Sequence, residues 1–489
     1  MSPQRSLGRR GQAMVFILLT ATFSFLMAGL AVDFLWAYVV KSRLVMAVDA
    51  SALAAVRALG RGDIAMNRTV SLVFETNFPS DYMLAKGVNF TPPVVSTPEP
   101  GIRDVFLSGE AIAPTFFMRI LGFNSLEVSA SATASRRDVN MMLVLDRSAS
   151  LHPDLANAWG DVQEAAIFFV EQFDDARDKL GVVTFGTGAH VDRALSTNFK
   201  SSVTSAINSQ VVARSASTNS PQGLWLAYAE LLRVSDPNPI NAIVFFTDGQ
   251  PSSYTASFAV STTRNYSNNS IPYCNSSPKT AVIGALQDAA SGAFYEVNGF
   301  WNPNADGPPV TTGYSSGYTY DHFVVSGCNS PNGVFTPWAS DTEWLFDSGS
   351  CLPNSWTATY GSITRNFSIT SGPYSVNQCS SYLKSTSTNW SQRTYRGEQV
   401  HNAAKNLTVN IAQAARQNTS LGEVRIYSIG LGGWGYPADA GFLRQVANDP
   451  QSPTFTTDEP QGIYVYAPSK LQLRAAFNTV ASEIFRLIR

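Results

Sequence analysis

What this chain has little of narrows its function before any motif is read. Charged residues make up only 14% of its 489 residues, against roughly a quarter in an average soluble protein. The net charge is −2 and no basic stripe appears beyond the N-terminus, so nucleic-acid binding has no electrostatic footprint. Histidine is scarce: His152, His190, His322 and His401 are the whole set and lie far apart in sequence. No P-loop, H-E-x-x-H or G-x-S-x-G segment occurs, which removes the readiest signatures of nucleotide, zinc-protease and serine-hydrolase chemistry. The chain therefore reads as a non-enzyme with no catalytic residue to assign, and a metal-dependent hydrolase is the remotest functional class.

Cysteine is absent except in one stretch. Cys274, Cys328, Cys351 and Cys379 all fall within a segment rich in Ser, Asn, Gly, Tyr and Trp. An even number confined to one loop-rich region suggests two disulfides and an oxidising compartment. Zinc is the rival reading, but there is no Cys-x-x-Cys pair and only His322 lies among the four. Three connectivities are open, and sequence order favours Cys351 with Cys379.

Apolar residues, by contrast, are abundant at 44%. The chain is long enough for two to four domains. Ala13 to Val32, "AMVFILLTATFSFLMAGLAV", runs without a charge, and twenty residues at about 1.5 Å each match a hydrocarbon core about 30 Å thick. Arg5, Arg9 and Arg10 precede it, which favours a cytoplasmic N-terminus with everything after Val32 outside. A cleaved secretion signal is the rival, with Gly29 to Ala31 as a small-x-small site, but the run exceeds the usual 7–15 apolar residues of such a signal. No proline interrupts residues 4 to 78, and the helical pattern continues to Leu59. That continuation is amphipathic, with Asp33, Lys41, Arg43, Asp49 and Arg57 as its sparse polar residues. Residues 1–60 thus read as a stub, a span and an amphipathic extension, and 61–136 as a small β-rich, pilin-like unit. "LEVSASATAS", Leu126 to Ser135, alternates as a strand. "PTFFMRILG", Pro114 to Gly122, predicts a short helix opened by proline and closed by glycine.

The segment "RRGQAMVFILL…GLAVDFLWAYVVKSRLVMAVDASALAA", together with "PTFFMRILGF" and "VSASATA", resembles the N-terminal region of the TadG-like family of tight-adherence (Flp) pilus-assembly proteins. The resemblance covers about the first 135 residues. It implies a bacterial protein, single-pass in the inner membrane, with the bulk of the chain periplasmic or at the cell surface. Processed pilins of this system carry a glutamate just inside the apolar segment. None is present from Gly11 to Val32, so the resemblance stops short of prepilin-peptidase cleavage.

From residue 137 to 489 apolar strands alternate with helices: "VNMMLVLD", "KLGVVTFG", "AIVFFTD", "VRIYSIG" and "GIYVYA" are strands. Near-continuous apolar strands between helices predict a doubly wound, mostly parallel α/β sheet covered on both faces. Ligands of such sheets bind at the carboxyl ends of the strands, and two strands end there in oxygen: Asp146-Arg147-Ser148-Ala149-Ser150, and Asp248 in "FFTDG". Thr218 lies on the loop leading into "PQGLWLAYAELLRV". Asp-x-Ser-x-Ser, a distant Thr and a distant Asp before Gly resemble the von Willebrand factor A domain and its metal-ion-dependent adhesion site. The resemblance implies that Asp146, Ser148, Ser150, Thr218 and Asp248 hold one divalent cation, Mg²⁺ first, with Ca²⁺ and Mn²⁺ as alternatives. The donor types suit a hard cation, and a partner's Asp or Glu carboxylate would complete the shell. Serines that merely cap the following helix are the plainer account. "GLGGWG", Gly430 to Gly435, fits a dinucleotide pattern but comes late in the domain and lacks the acidic residue expected at the end of the next strand.

Residues 253–397 are far more than this fold needs and read as a disulfide-stapled insertion with little regular structure. Within it, "SPKTAVIGALQDAASGAFYEV" predicts a helix. Leaving the chain at Asp248, the insertion is expected to emerge beside the metal and to select the partner through its Trp and Tyr side chains; a solubilising decoration folded away from the site is the alternative. The functional expectation is a membrane-anchored, extracytoplasmic, metal-dependent adhesion or protein-binding protein, associated with Flp pilus assembly or surface attachment. The alternative is a structural minor pilin-like subunit of a pilus or secretion assembly, with the head as spacer or cap.

Overall fold

The apolar run and its continuation form one helix, α1 (Gly8–Ala58). The computed structural model describes residues 8–59, 62–186, 188–212, 217–258, 263–266, 269–272, 282–288, 297–301, 352–377, 390–432 and 438–487. The chain divides into two units, residues 1–137 and 138–488.

In the first unit, α1 is followed by α2 (Asp63–Asn77) and by strands β1 (Lys86–Phe90), β2 (Val94–Glu99), β3 (Ile102–Pro114) and β4 (Ser125–Arg137). The sheet is antiparallel: β4 pairs along the whole of β3, while β1 and β2 share its other edge. Val40, Leu44, Ala47, Val48 and Ala55 of α1 form a stripe at helical spacing and are buried against Val105, Leu107, Ala111 and Ala113 of β3. Gly109 sits where helix and sheet come closest, because a Cβ there would lie 2.9 Å from a Val48 methyl. The expected strand at residues 126–135 is present within β4, with Val128 and Ala134 buried on the expected face. Helix α2 was not expected; it buries Met66, Val70 and Phe74, every fourth residue, while Ile64 and Leu72 stay exposed and blur the periodicity. The helix expected over 114–122 shortens to a 3₁₀ turn, Met118–Leu121. Pro114 instead ends β3, opposite Ser125, and Gly122 closes the turn in the left-handed conformation at φ 93°. An 18-residue window within residues 13–58 is apolar enough to cross a membrane, and 6% of it is buried. Such exposure is compatible with anchoring and unlike the core helix of a globular domain.

The second unit is built on a six-stranded sheet. Its elements are β5 (Val139–Asp146), α3 (Trp159–Val170), β6 (Lys179–Phe185), β7 (Ala189–Ser196), α4 (Lys200–Ser209), α5 (Ser220–Val234) and β8 (Ile240–Thr247). After the insertion come α6 (Trp390–Arg416), β16 (Val424–Leu431), α7 (Ala440–Ala447), β17 (Tyr464–Ala467) and α8 (Leu473–Leu487). The order is β17-β16-β8-β5-β6-β7, parallel except for the edge strand β7. Strand β5 is buried throughout. Met142 and Val144 face one core with α5, α6 and α7, and Met141, Leu143 and Leu145 face the other with α3, α4 and α8. Full burial on both faces explains why these strands read as unbroken apolar runs. β7 and α4 were not anticipated, since an edge strand such as Ala189–Ser196 carries polar residues along one side.

The described parts of the insertion are more regular than its composition suggested. They comprise β9 (Ser253–Phe258), β10 (Thr263–Tyr266), β11 (Asn269–Pro272), β12 (Val282–Asp288), β13 (Val297–Trp301), β14 (Ser355–Tyr360) and β15 (Ile363–Ser368). β12 lies between β9 and β13 in an antiparallel sheet. Residues 282–288 are therefore strand, not the expected helix: Val282 and Ile283 are β-branched, Gly284 disfavours helix, and β9 offers an edge to pair with. β14 and β15 form a hairpin whose Trp356, Ala358 and Phe367 join the core of Leu224 and Trp225. Trp225 meets Phe367 edge-on at 5.4 Å between ring centroids, and the Tyr360 hydroxyl donates to Glu230 at 2.7 Å. This hairpin is structural core and not an outlying decoration. Cys274, Cys328, Cys351 and Cys379 lie outside the described residues.

Candidate functional site

The carboxyl ends of β5, β6 and β8 bring three distant segments together. Asp146 is the last residue of β5, and the chain turns at once: the Arg147 amide donates to the Phe185 carbonyl at the end of β6, 2.8 Å. The Ser148 amide folds back onto Asp146 Oδ1 at 2.8 Å, the local geometry for which Asp is suited. Ser148 Oγ and Ser150 Oγ then lie 3.0 Å apart, and Ser150 Oγ donates to Asp248 Oδ1 at 2.8 Å. Four of the five expected donors, Asp146, Ser148, Ser150 and Asp248, thus form one chain of contacts.

Thr218 reaches the same end of the sheet by a different route. Its carbonyl accepts from the Ser252 and Ser253 amides at 3.0 and 3.3 Å, and its amide donates to Ser252 Oγ at 3.0 Å. The loop of Thr218 is therefore stitched to the segment that follows Asp248. Next to it, Asn219 caps α5 through its side chain, with Pro221 in the first turn, and its amide donates to the Gly186 carbonyl at 2.7 Å. Asp146 is fully buried, Ser148, Thr218 and Asp248 are buried, and Ser150 is half-buried.

Two carboxylates in this setting repel. Burial pushes Asp146 up to about 6. Burial, and then the neighbouring Asp146 charge, push Asp248 up to about 8. Hydrogen bonds from Thr247 and Ser148 to Asp146, and from Ser150 to Asp248, act in the opposite sense but do not offset burial. No basic side chain figures among the groups acting on either acid. Like charges this close in a low-dielectric pocket favour a shared proton or a cation. The two acids and the Ser148 and Ser150 hydroxyls in contact are oxygen donors of the kind that a small divalent ion takes. Among the described residues no cluster of three or more His, Cys, Asp and Glu forms a rival metal site.

Several supporting residues were not picked out from sequence. Thr247 donates to Asp146 Oδ2 at 2.5 Å and its hydroxyl accepts the Gly249 amide at 3.2 Å. Its signal was its place immediately before Asp248 in "TDG". Ser252 and Asn219 hold the Thr218 loop, and only their polarity beside the motif could have marked them. Arg147 is 1% exposed, its Nε donates to Thr184 Oγ1 at 3.2 Å, and its charge acts on Asp192. His152 stands on the following turn, where its Nδ1 accepts the Asp154 amide at 3.1 Å, as a surface-loop histidine would. In "GLGGWG", a Cβ on Gly430 would come within 2.8 Å of Ala438 and of the Tyr464 hydroxyl, so this glycine serves close packing; residues 433–437 lie outside the described set. The insertion's first described strand leads into the core, with Tyr254 and Ala256 fully buried. Trp356 is buried as well, so these aromatics are not available to a partner.

Residues 141–250 match the family model for the von Willebrand factor type A domain. Residues 11–58 match the model for Flp pilus-assembly TadE/G-like proteins. No curated protein matches the chain. Similar solved structures include the pilus adhesin SpaC from Lactobacillus rhamnosus GG, at 11% identity and a TM-score of 0.34 over 82% of this chain and 35% of that one. The von Willebrand factor domain of the type V pili tip protein Mfa5 from Porphyromonas gingivalis is 14% identical, with a TM-score of 0.34 over 73% of this chain and 98% of that one. The PilB minor pilin from Streptococcus sanguinis is 13% identical, with a TM-score of 0.35 over 83% and 79%. The chain spans about a third of the length of the SpaC structure it matches.

Proposed function

We propose that this protein is anchored in a membrane by residues 13–32 and engages a protein partner through a divalent cation held at the second unit, in pilus assembly or surface attachment. The observation that carries the reading is the contact chain Asp146–Ser148–Ser150–Asp248, which joins two buried acids whose carboxyls are both pushed up by burial. Asp146, Ser148, Ser150, Thr218 and Asp248 would hold the ion, with Mg²⁺ favoured over Ca²⁺ and Mn²⁺ because the set is small and hydroxyl-rich. The ion would supply a positive centre for an Asp or Glu side chain of the partner. The role is binding and not catalysis.

The pairing of a TadE/G-like match at 11–58 with a type A domain match at 141–250 supports the pilus setting. The same match at 11–58 also favours a second reading, a minor pilin-like subunit whose head is a spacer or cap. Metal separates the two. Titration of the full chain in detergent with Mn²⁺, followed by electron paramagnetic resonance, should show one saturable site that Mg²⁺ competes away and that Asp146→Ala abolishes. The absence of a saturable site would leave only the structural reading. Co-purification with pilus components that survives EDTA would favour that reading too.

A further inference from the structure

The turn between β3 and β4 has a surface that water does not suit. Ile120, Phe123, Leu121, Phe116 and Phe117 are 75%, 58%, 52%, 45% and 44% exposed, all within eight residues. Isolated exposed apolar side chains are ordinary, whereas a contiguous cluster marks a contact surface. The backbone beneath them is unusually self-contained. Asp33 of α1, itself fully buried, accepts the amides of Phe116, Phe117 and Met118 at 2.8, 2.9 and 2.6 Å. The amides of Ile120, Gly122 and Phe123 donate to carbonyls within the turn at 3.1 Å each, and the Thr115 hydroxyl donates to the Phe123 carbonyl at 2.5 Å. A turn that faces water can leave such groups to solvent, but one that enters lipid must pair them internally.

The position of the turn points the same way. A Cβ on Gly29 would fall 2.7 Å from Phe117, so the Phe117 ring lies against the last turn of the uncharged run 13–32. One turn further on, Trp36 meets Phe116 edge-on at 5.2 Å, and Tyr38 is 69% exposed. Aromatic side chains gather at this level of a span in membrane proteins. Arg119, exposed among the apolar side chains, can extend its charged head to the phosphates while its stem stays with the apolar residues.

We propose that the turn Phe116–Phe123 is a second membrane contact. It sits in the boundary between headgroups and acyl chains beside the α1 span and fixes how the first unit stands on the bilayer. The occupant of the apolar patch is lipid, because the patch is continuous with the membrane-spanning surface of α1. This inference rests on the reading of residues 13–32 as a span. The test is to place a photo-crosslinking benzoylphenylalanine at Ile120 or Phe123 of the full chain, reconstituted in vesicles of phosphatidylethanolamine and phosphatidylglycerol. Phe23, inside the uncharged run and 65% exposed, serves as the benchmark. Glu99, on the hairpin at the opposite end of β3, serves as the control. Lipid adducts at Ile120 and Phe123 comparable to those at Phe23, with none at Glu99, are expected. Adducts at Phe23 but not at the turn would overturn this inference alone. Crosslinks from the turn to a second copy of the chain would assign the patch to subunit packing and overturn it as well. Loss of lipid adducts at Phe23 too would remove both the span and the inference.

Discussion

Asp33 and the pair Asp146–Asp248 are buried acids held in opposite ways. Asp33 receives three backbone amides from a turn 83 to 85 residues away, and its charge is compensated by the fold itself. Asp146 receives the Thr247 and Ser148 hydroxyls and the Ser148 and Asp248 amides, yet burial outweighs them, and at Asp248 the neighbouring Asp146 charge adds to the cost. The first arrangement is closed and serves to build the unit. The second is left with its charges uncompensated by the described hydrogen bonds, which is the feature the proposed cation site rests on. Burial of an acid is therefore uninformative by itself; what surrounds it separates a compensated acid from an uncompensated one.

The largest effect that tests this contrast is expected at Asp33. Asp33→Ala would orphan three amides at once, a loss of about 3 kcal/mol or more at typical costs for an unpaired buried group. Hydrogen exchange should show the amides of Phe116, Phe117 and Met118 losing protection first. If their protection is unchanged, the carboxylate does not organise the turn.

At Asp248 the sign reverses. The folded-state values of Asp146 and Asp248 lie above the ordinary carboxylate value of 3.8, so the metal-free fold binds protons more tightly than the unfolded chain. Its stability should then fall as pH rises from about 4 to about 8, the range those shifts define. Asp248→Asn should stabilise the metal-free protein at pH 8 by about 1 kcal/mol or more, one pKa unit's equivalent, while abolishing the thermal shift given by Mg²⁺. In the wild-type chain that Mg²⁺ shift should grow with pH across the same range. Thermal unfolding at a series of pH values, with EDTA and with Mg²⁺, measures all three; a metal-free protein that gains stability with pH would contradict the repulsion described for the pair.

The smallest effect concerns Thr247. Thr247→Val removes the hydroxyl that donates to Asp146 and accepts the Gly249 amide, and should cost about 1 kcal/mol. It should also weaken Mn²⁺ binding without abolishing it, because no expected donor is lost. An unchanged titration would show that the Thr247 hydroxyl does not position the acid.

Much of the second unit was legible because its signals are local. Strands buried on both faces must be apolar throughout, and helices such as α5 and α8 show their spacing within a few turns, so β5, β6, β8 and β16 fell close to their expected bounds. Elements with weaker local signals were missed: α2, whose exposed Ile64 and Leu72 blur its buried stripe, α4, and the edge strand β7. The expected helix around residues 282–288 failed for a related reason. A short apolar run with Ala and Leu suits either helix or strand, and the pairing with β9 decided it. In the site, Asp146, Ser148, Ser150, Thr218 and Asp248 were singled out by resemblance to the von Willebrand factor A motif, and the structure brings Asp146, Ser148, Ser150 and Asp248 into contact, whereas Thr247, Ser252 and Asn219 look like ordinary turn residues until the segments meet.

By itself, then, the sequence determined an uncharged run long enough to cross a bilayer, a parallel sheet and the oxygen-bearing residues at its strand ends. Each follows from composition or periodicity over a few neighbouring residues. The tertiary structure alone decided that Asp33 closes the turn at Phe116–Met118, that Trp356 and Phe367 pack against Trp225 in the core, and that Ser150 touches Asp248 across 98 residues of chain. Those are pairings between distant segments, and no local pattern encodes them, because the partner of a buried group is set by which surfaces the whole chain brings together.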